Sequence, residues 1–281
     1  MRVGVHTMPK FPKDTTDRNR TSPFAFTGNK FEFRMLGSSA SVSGPNTMLN
    51  TAVAEILRQF ADELEQATDF QTSLHALIRR VIKAHKRILF NGNGYDEQWI
   101  AEAEARGLLN LKTTPDALPY LLAPKNIELF ATHKVYTEKE VRSRYEILMQ
   151  SYCKLICIEG RTMVDMALKD ILPAVSRYER DLCGGVLVQA QTGLSVSTDY
   201  EMQTIAQIST LKDTAYKATL ALQAALEKAK TITDVTELAN FYKDEARLHM
   251  QTLRTAADEL ESIVSADCWP FPTYGDLLFG V

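Results

Sequence analysis

Residues 211–230, LKDTAYKATLALQAALEKAK, decide the architecture of this chain. Leu211, Ala215, Ala218, Leu222, Ala225 and Ala229 recur in alternating steps of four and three, which puts them on one stripe of an α-helix. Residues 246–264, ARLHMQTLRTAADELESIV, repeat the rhythm at Ala246, Met250, Leu253, Ala257, Leu260 and Val264. Asp234, with Glu237 three residues on, has the pattern of a helix start for this second segment. Two such stripes joined by a short turn predict an antiparallel helical hairpin closed along an a/d-like seam. The tail after the hairpin, CWPFPTYGDLLF at 268–279, cannot continue a helix past Pro270 and Pro272. It is too apolar to be left in water, so Trp269, Phe271 and Tyr274 are expected to be buried.

The helical period extends toward the N-terminus. Thr137 and Glu140 have capping-box spacing at the head of a block expected to run to about Tyr178, with a weak point at Gly160. Cys183, Gly184 and Gly185 then predict a looser link. Further upstream, Leu49, Val53, Ile56, Leu57, Phe60 and Leu64 form one stripe, and Leu74, Leu77, Ile78, Val81 and Ile82 form another after a cap at Thr68–Asp69. FNGNGY at 90–95 breaks the pattern, and a shorter helix around Trp99 is expected to stop at Gly107.

Residues 1–45 read differently. They hold four prolines, and residues 30–35 (KFEFRM) alternate without a break. Successive side chains of a strand point to opposite faces, so Phe31, Phe33 and Met35 share one face and Lys30, Glu32 and Arg34 the other. Residues 2–6 are a candidate second strand. The fold class expected is α+β, predominantly α-helical. One or two strands cannot form a stable sheet alone, which predicts sheet partners upstream of Met1.

At 281 residues and 45% hydrophobic, the composition is that of one large globular domain or two smaller ones. A net charge of -3 gives no electrostatic reason to expect nucleic acid or an anionic membrane as partner. Four scattered cysteines do not make a disulfide scaffold, and no run is long and apolar enough to span a bilayer. A cytoplasmic protein is expected.

NRTSPFAFTGNKFEFR at 19–34 resembles the arginine-bearing active-site segment of glutamine synthetases, an Asn-Arg-Ser/Thr element before a strand of pattern basic-x-Glu-x-Arg. FNGNGYDEQW at 90–99, LLNLKTTPDALP at 108–119, SRYEIL at 143–148, DILPAVSRY at 170–178 and WPFPTYGDLLF at 269–279 extend the likeness, in order, to the C-terminal part of type III glutamine synthetase. The resemblance implies a glutamate–ammonia ligase that uses ATP and Mg²⁺ (or Mn²⁺) to join ammonia to L-glutamate through a γ-glutamyl phosphate. It implies that Arg20 contacts the transferring phosphate, Lys30 faces the nucleotide, Glu32 binds a metal ion and Arg34 holds the substrate. It also implies a homo-oligomeric ring in the full-length protein. Residues 1–135 would then be the end of the catalytic domain and 136–281 a helical C-terminal domain. Cations set against developing negative charge suit phosphoryl transfer, a carboxylate oxygen suits Mg²⁺, and arginine grips phosphate or carboxylate in bidentate fashion.

The family's remaining metal ligands, its glutamate flap and its β-grasp domain have no counterpart here, so the chain alone is expected to be inactive. A further arginine of the type I pattern falls where this chain has Ala25 and Phe26. A different class of reading is a non-catalytic helical oligomerisation or interaction module. The NGNG turn at 91–94 lacks the Lys-Ser/Thr of a phosphate loop and reads as a plain turn. Cys153 and Cys157, four apart on a helix, read as small buried residues rather than the start of a metal site.

Overall fold

A computed structural model describes residues 41–88 and 96–279, with the backbone of residues 24–26 and 31–33; the Tyr274 side chain lies outside this set. The first helices are α1 (Ser43–Glu65), α2 (Phe70–Ala84), α3 (Glu97–Ala105), the single turn α4 (Thr114–Ala117) and α5 (Pro124–Thr132). Then come α6 (Glu138–Met166), α7 (Leu172–Gln191), α8 (Asp199–Ala229), α9 (Val235–Phe241), α10 (Arg247–Ile263) and α11 (Tyr274–Phe279). None of the described helices is long and apolar enough to cross a membrane.

Local chemistry sets the helix starts. Asp69 accepts hydrogen bonds from the backbone N–H groups of Gln71 and Thr72 at 3.1 and 3.3 Å. Asp234 does the same for Thr236 and Glu237 at 3.0 and 2.8 Å. At α6 the capping box closes both ways: the Glu140 N–H donates to Thr137 Oγ1, and the Thr137 N–H donates to Glu140 Oε2. Each such cap satisfies donors that a helix cannot satisfy itself, worth about 1 kcal/mol. Just beyond α3, Gly107 has φ +76°, the left-handed conformation that glycine adopts without a Cβ penalty.

The expected α+β class, with a remnant of a catalytic domain, is overturned. From residue 41 to residue 279 the described residues contain no strand. The ladder that is described pairs β1 (Phe24–Phe26) with β2 (Phe31–Phe33) antiparallel, three residues each. Two such strands are a ribbon, not a catalytic sheet. Alternation along one strand reports which faces its residues take and carries no information on how many strands lie beside it, which is why the sequence overstated this part. Residues 2–6 and the NGNG turn lie outside the described residues.

The chain divides into two compact units. The first comprises residues 1–112 and 122–141. In it α1 packs against α2 and α5, and Leu77, Phe130, Val141 and Thr51 are buried. Arg80 of α2 reaches Glu63 of α1, but both are exposed and such a pair adds little. Glu55 is better enclosed. Its carboxylate receives Arg58 and Gln59 from its own helix and lies 2.8 Å from His133 Nε2. These hydrogen bonds, Arg58 first, hold its carboxyl well below the usual carboxylate range. An ionised carboxylate only accepts, so the facing imidazole nitrogen carries the proton.

These hydrogen bonds, from α1 itself first and from His133 of α5 after them, predict an acid-sensitive first unit. A depressed folded pKa adds stability that is complete above the unfolded glutamate value, about 4.3, and is lost as pH falls below it. Thermal unfolding of the first unit should therefore shift to lower temperature on acidification below about pH 4. Glu55→Gln should flatten part of that slope, and identical slopes in the two proteins would refute the role given to Glu55.

The second unit comprises residues 113–121 and 142–281. Here α8 is the central element, packed on α7 on one side and on α10 on the other. Five residues, 230–234, separate α8 from α9, too few for anything but an antiparallel return. Ala215, Ala218, Leu222, Ala225 and Ala229 of α8 are buried with Leu253, Ala257, Leu260 and Val264 of the returning segment. Thr219, fully buried in the same seam, donates its hydroxyl to the Ala215 carbonyl at 2.7 Å and so leaves no unsatisfied group.

Four features depart from the sequence reading. Gly160 does not weaken α6; a Cβ there would lie 3.2 Å from Leu226 Cδ2, so the glycine marks a close approach to α8. A π turn, Ala167–Ile171, precedes Pro173, and its wider ring accommodates a residue that lacks an N–H and crowds the carbonyl four back. Nor do Gly184 and Gly185 start a link: α7 runs through them to Gln191. Each glycine costs a helix about 1 kcal/mol relative to alanine, too little to stop one already packed upstream. The tail docks only in part. Trp269 and Phe271 are half-buried, whereas Leu277 and Leu278 are 70% and 75% exposed.

Candidate functional site

The residues singled out by sequence are not brought together by described side chains. Arg20, Lys30 and Arg34 lie outside the described residues. Glu32 is placed by its backbone alone, opposite Ala25 in the ladder. Among the described residues no group of three or more His, Cys, Asp or Glu is placed to hold a metal ion.

Described side chains converge instead in the second unit, around a second π turn, Tyr242–Ala246, between α9 and α10. A π turn inserts one residue and rotates the helix beyond it, and such turns are frequent at functional positions. Tyr242 and Ala246 are buried while Lys243 extends to Asp116, donating to its Oδ1 at 2.7 Å across 127 residues of sequence. Asp116 also accepts from the Thr113 hydroxyl at 2.5 Å, and Thr113 caps α4 by accepting from the Asp116 N–H. The lysine, then Thr113, holds the Asp116 carboxyl below its ordinary range; Asp116 in turn raises Lys243.

Beside this pair lie the buried Tyr242 and, on α6, the half-buried Tyr152 with Cys153 and Cys157. Burial pushes the Tyr152, Tyr242 and Cys153 groups up, with a Cys157 hydrogen bond adding to the rise at Tyr242. The Tyr152 hydroxyl has no partner of good hydrogen-bond geometry, although the Arg247 guanidinium is close. The Cys153 thiol faces the Val235 carbonyl at 4.0 Å. Raised thiol and phenol pKa values keep these groups protonated at neutral pH, so the thiol is a poor nucleophile and a poor metal ligand. The cluster holds α4, α6 and the π turn together, and its chemistry is that of an ion pair rather than of a catalytic centre.

The first unit offers a concavity of the opposite character. Between α1 and α2, and extending to Ile88, lies a cleft of about 990 Å³ lined largely by apolar side chains, Leu49, Val53, Ile56, Leu57 and Val81 among them. Arg80, already engaged with Glu63, and His85 stand among its lining residues.

Sequence reasoning missed Lys243 and Asp116. Thr113, two residues before Pro115, reads only as part of a turn, and nothing local relates residue 116 to residue 243. The signal present was the cap itself: a threonine three residues before an aspartate, at a proline-bearing helix start.

The model of the glutamine synthetase C-terminal domain matches residues 73–189. The chain is 37% identical over 287 residues to the type-3 glutamine synthetase of Dictyostelium discoideum, covering 99% of this chain and 39% of that protein. A glutamine synthetase of Butyrivibrio fibrisolvens is 37% identical over 280 residues, and one of Bacteroides fragilis (strain YCH46) is 30% identical over 293. The chain spans about two fifths of the length of the curated relatives it matches. Over residues 73–189 the chain matches the glutamine synthetase C-terminal domain, and over nearly its whole length it is similar to proteins named glutamine synthetase.

Proposed function

We propose that the chain contributes to ATP-dependent ligation of ammonia to L-glutamate, as one part of a larger type-3 glutamine synthetase assembly. The observation that supports this most is the end-to-end likeness to proteins bearing that name, at 30 to 37% identity. In the reaction the γ-phosphoryl group of ATP passes to the glutamate side-chain carboxylate. Ammonia then attacks the acyl carbon, and phosphate leaves.

On this reading the Arg20 guanidinium meets the charge that develops on the phosphoryl oxygens, and Lys30 adds a cation toward the nucleotide. Arg34 grips a substrate carboxylate with two parallel N–H donors. Mg²⁺ or Mn²⁺ is the metal the reading calls for, yet the described residues do not make a site for it. Glu32 supplies one carboxylate, and the other ligands belong to the stretch of the relatives that this chain does not span. The described residues from 41 onward contain helices and no strand, which favours a second reading, a non-catalytic assembly module.

One exchange separates the two. The purified chain should form no glutamine from ATP, glutamate and ammonia. A chimera in which it replaces the matching stretch of a type-3 enzyme should do so. Activity of the isolated chain would overturn the incomplete-site reading, and a folded but inactive chimera would leave the assembly module.

A further inference from the structure

We infer that residues 113–121 form a strap that opens from the second unit as a piece, with Lys243 of the π turn as its latch: the lysine holds Asp116 when the strap is closed and falls back on Asp244 when it is open. In chain order the strap is an excursion. Residues 1–112 and 122–141, on either side of it, are part of the first unit, and residues 113–121 are part of the second. Its regular structure is the single turn α4, followed by a 3-10 turn from Leu118. One turn is far below the length at which a helix persists by itself, so the strap keeps its shape through what it touches. Pro115 is buried, and Asp116 receives the Lys243 ammonium, while Tyr120 is 44% exposed.

Lys243 is placed for both positions. It follows the buried Tyr242 and lies between the fully buried Ala239 and Ala246, so its stem leaves the helix at the edge of the core. An ammonium there needs a carboxylate. It has two: Asp116 Oδ1 at 2.7 Å and Asp244 Oδ1 at 3.6 Å. Asp116 belongs to the strap, and so does Thr113, whose hydroxyl donates to the same carboxylate. Asp244 belongs to the π turn and stays with the lysine. When the strap leaves, water enters the space it vacates and the ammonium keeps one carboxylate. Breaking an enclosed ion pair is costly because it strands a charge; here the second carboxylate removes most of that cost, which makes the strap releasable. The latch does not depend on the reaction proposed above.

Hydrogen exchange on the full chain reads the two events separately. The Ala117 and Leu118 amides, which donate to the Thr113 and Thr114 carbonyls, report on the strap, and the amides in the middle of α8 report on unfolding of the unit. Lys243→Met and Asp116→Asn should each speed strap exchange by roughly tenfold and leave the α8 amides as in the parent. Asp244→Asn should act in the opposite sense, slowing strap exchange by about threefold, because the open position then lacks its carboxylate. Combined with Lys243→Met, the Asp244 change should add nothing, since Asp244 acts only through the lysine. Strap exchange that is unchanged in Lys243→Met, or that speeds together with α8, overturns the inference. So does faster strap exchange in Asp244→Asn, which would make the three side chains one static network.

Discussion

Glu32→Ala, made in an active chimera of this chain with the remainder of a type-3 enzyme, should lower glutamine formation by on the order of 10²-fold or more. The expectation rests on the role proposed for Glu32, a carboxylate whose charge no alanine replaces. Glu32→Gln, which keeps the size and removes the charge, should lose nearly as much. The ladder gives the control on folding. Glu32 pairs with Ala25 through its backbone, and alanine retains those backbone groups, so far-UV circular dichroism and oligomeric state should not change. A rate within a factor of two of the parent would make Glu32 an ordinary solvated charge between Lys30 and Arg34, and the site assignment would fall with it.

Leu222→Ala should destabilise the second unit by about 2–5 kcal/mol. Leu222 is fully buried at the middle of α8, and its Cδ1 lies 3.6 Å from where a Cβ on Gly160 would stand. Truncation removes its contacts and leaves a cavity between two long helices that have limited freedom to collapse into it. Leu220, two residues away and 44% exposed, is the comparison: Leu220→Ala should fall within about 0.5 kcal/mol of the parent. Gly160→Leu attacks the same contact from α6 by overpacking, at about 1–3 kcal/mol. In urea, the midpoint should fall with the slope unchanged for Leu222→Ala. Equal midpoints for Leu222→Ala and Leu220→Ala would mean that the seam does not carry the stability of this unit.

The two predictions rest on information of different kinds. The position of Leu222 in a seam comes from spacing alone: Ala215, Ala218, Leu222, Ala225 and Ala229 lie on one stripe, and all five are buried. The role of Glu32 comes from resemblance, since a single carboxylate between two cations on a strand is equally a solvated face. The family likeness supplied the reaction class; the described residues add the helical setting and leave Arg20, Lys30 and Arg34 outside it.

By itself the sequence determined the local features: the caps at Asp69, Thr137 and Asp234, the end of α3 near Gly107, and the faces of α8 and α10. These depend on hydrogen bonds and side-chain positions within about four residues, so neighbouring letters contain the physics. Tertiary structure alone decided the rest. It joined Lys243 to Asp116 and Glu55 to His133, pairs separated by 127 and 78 residues, for which no local pattern exists. It carried α7 through Gly184 and Gly185, placed a π turn ahead of Pro173, and left Trp269 half-buried where apolar composition predicted full burial. In each case a local preference worth about 1 kcal/mol met packing terms that sum over many contacts, and the larger sum prevailed.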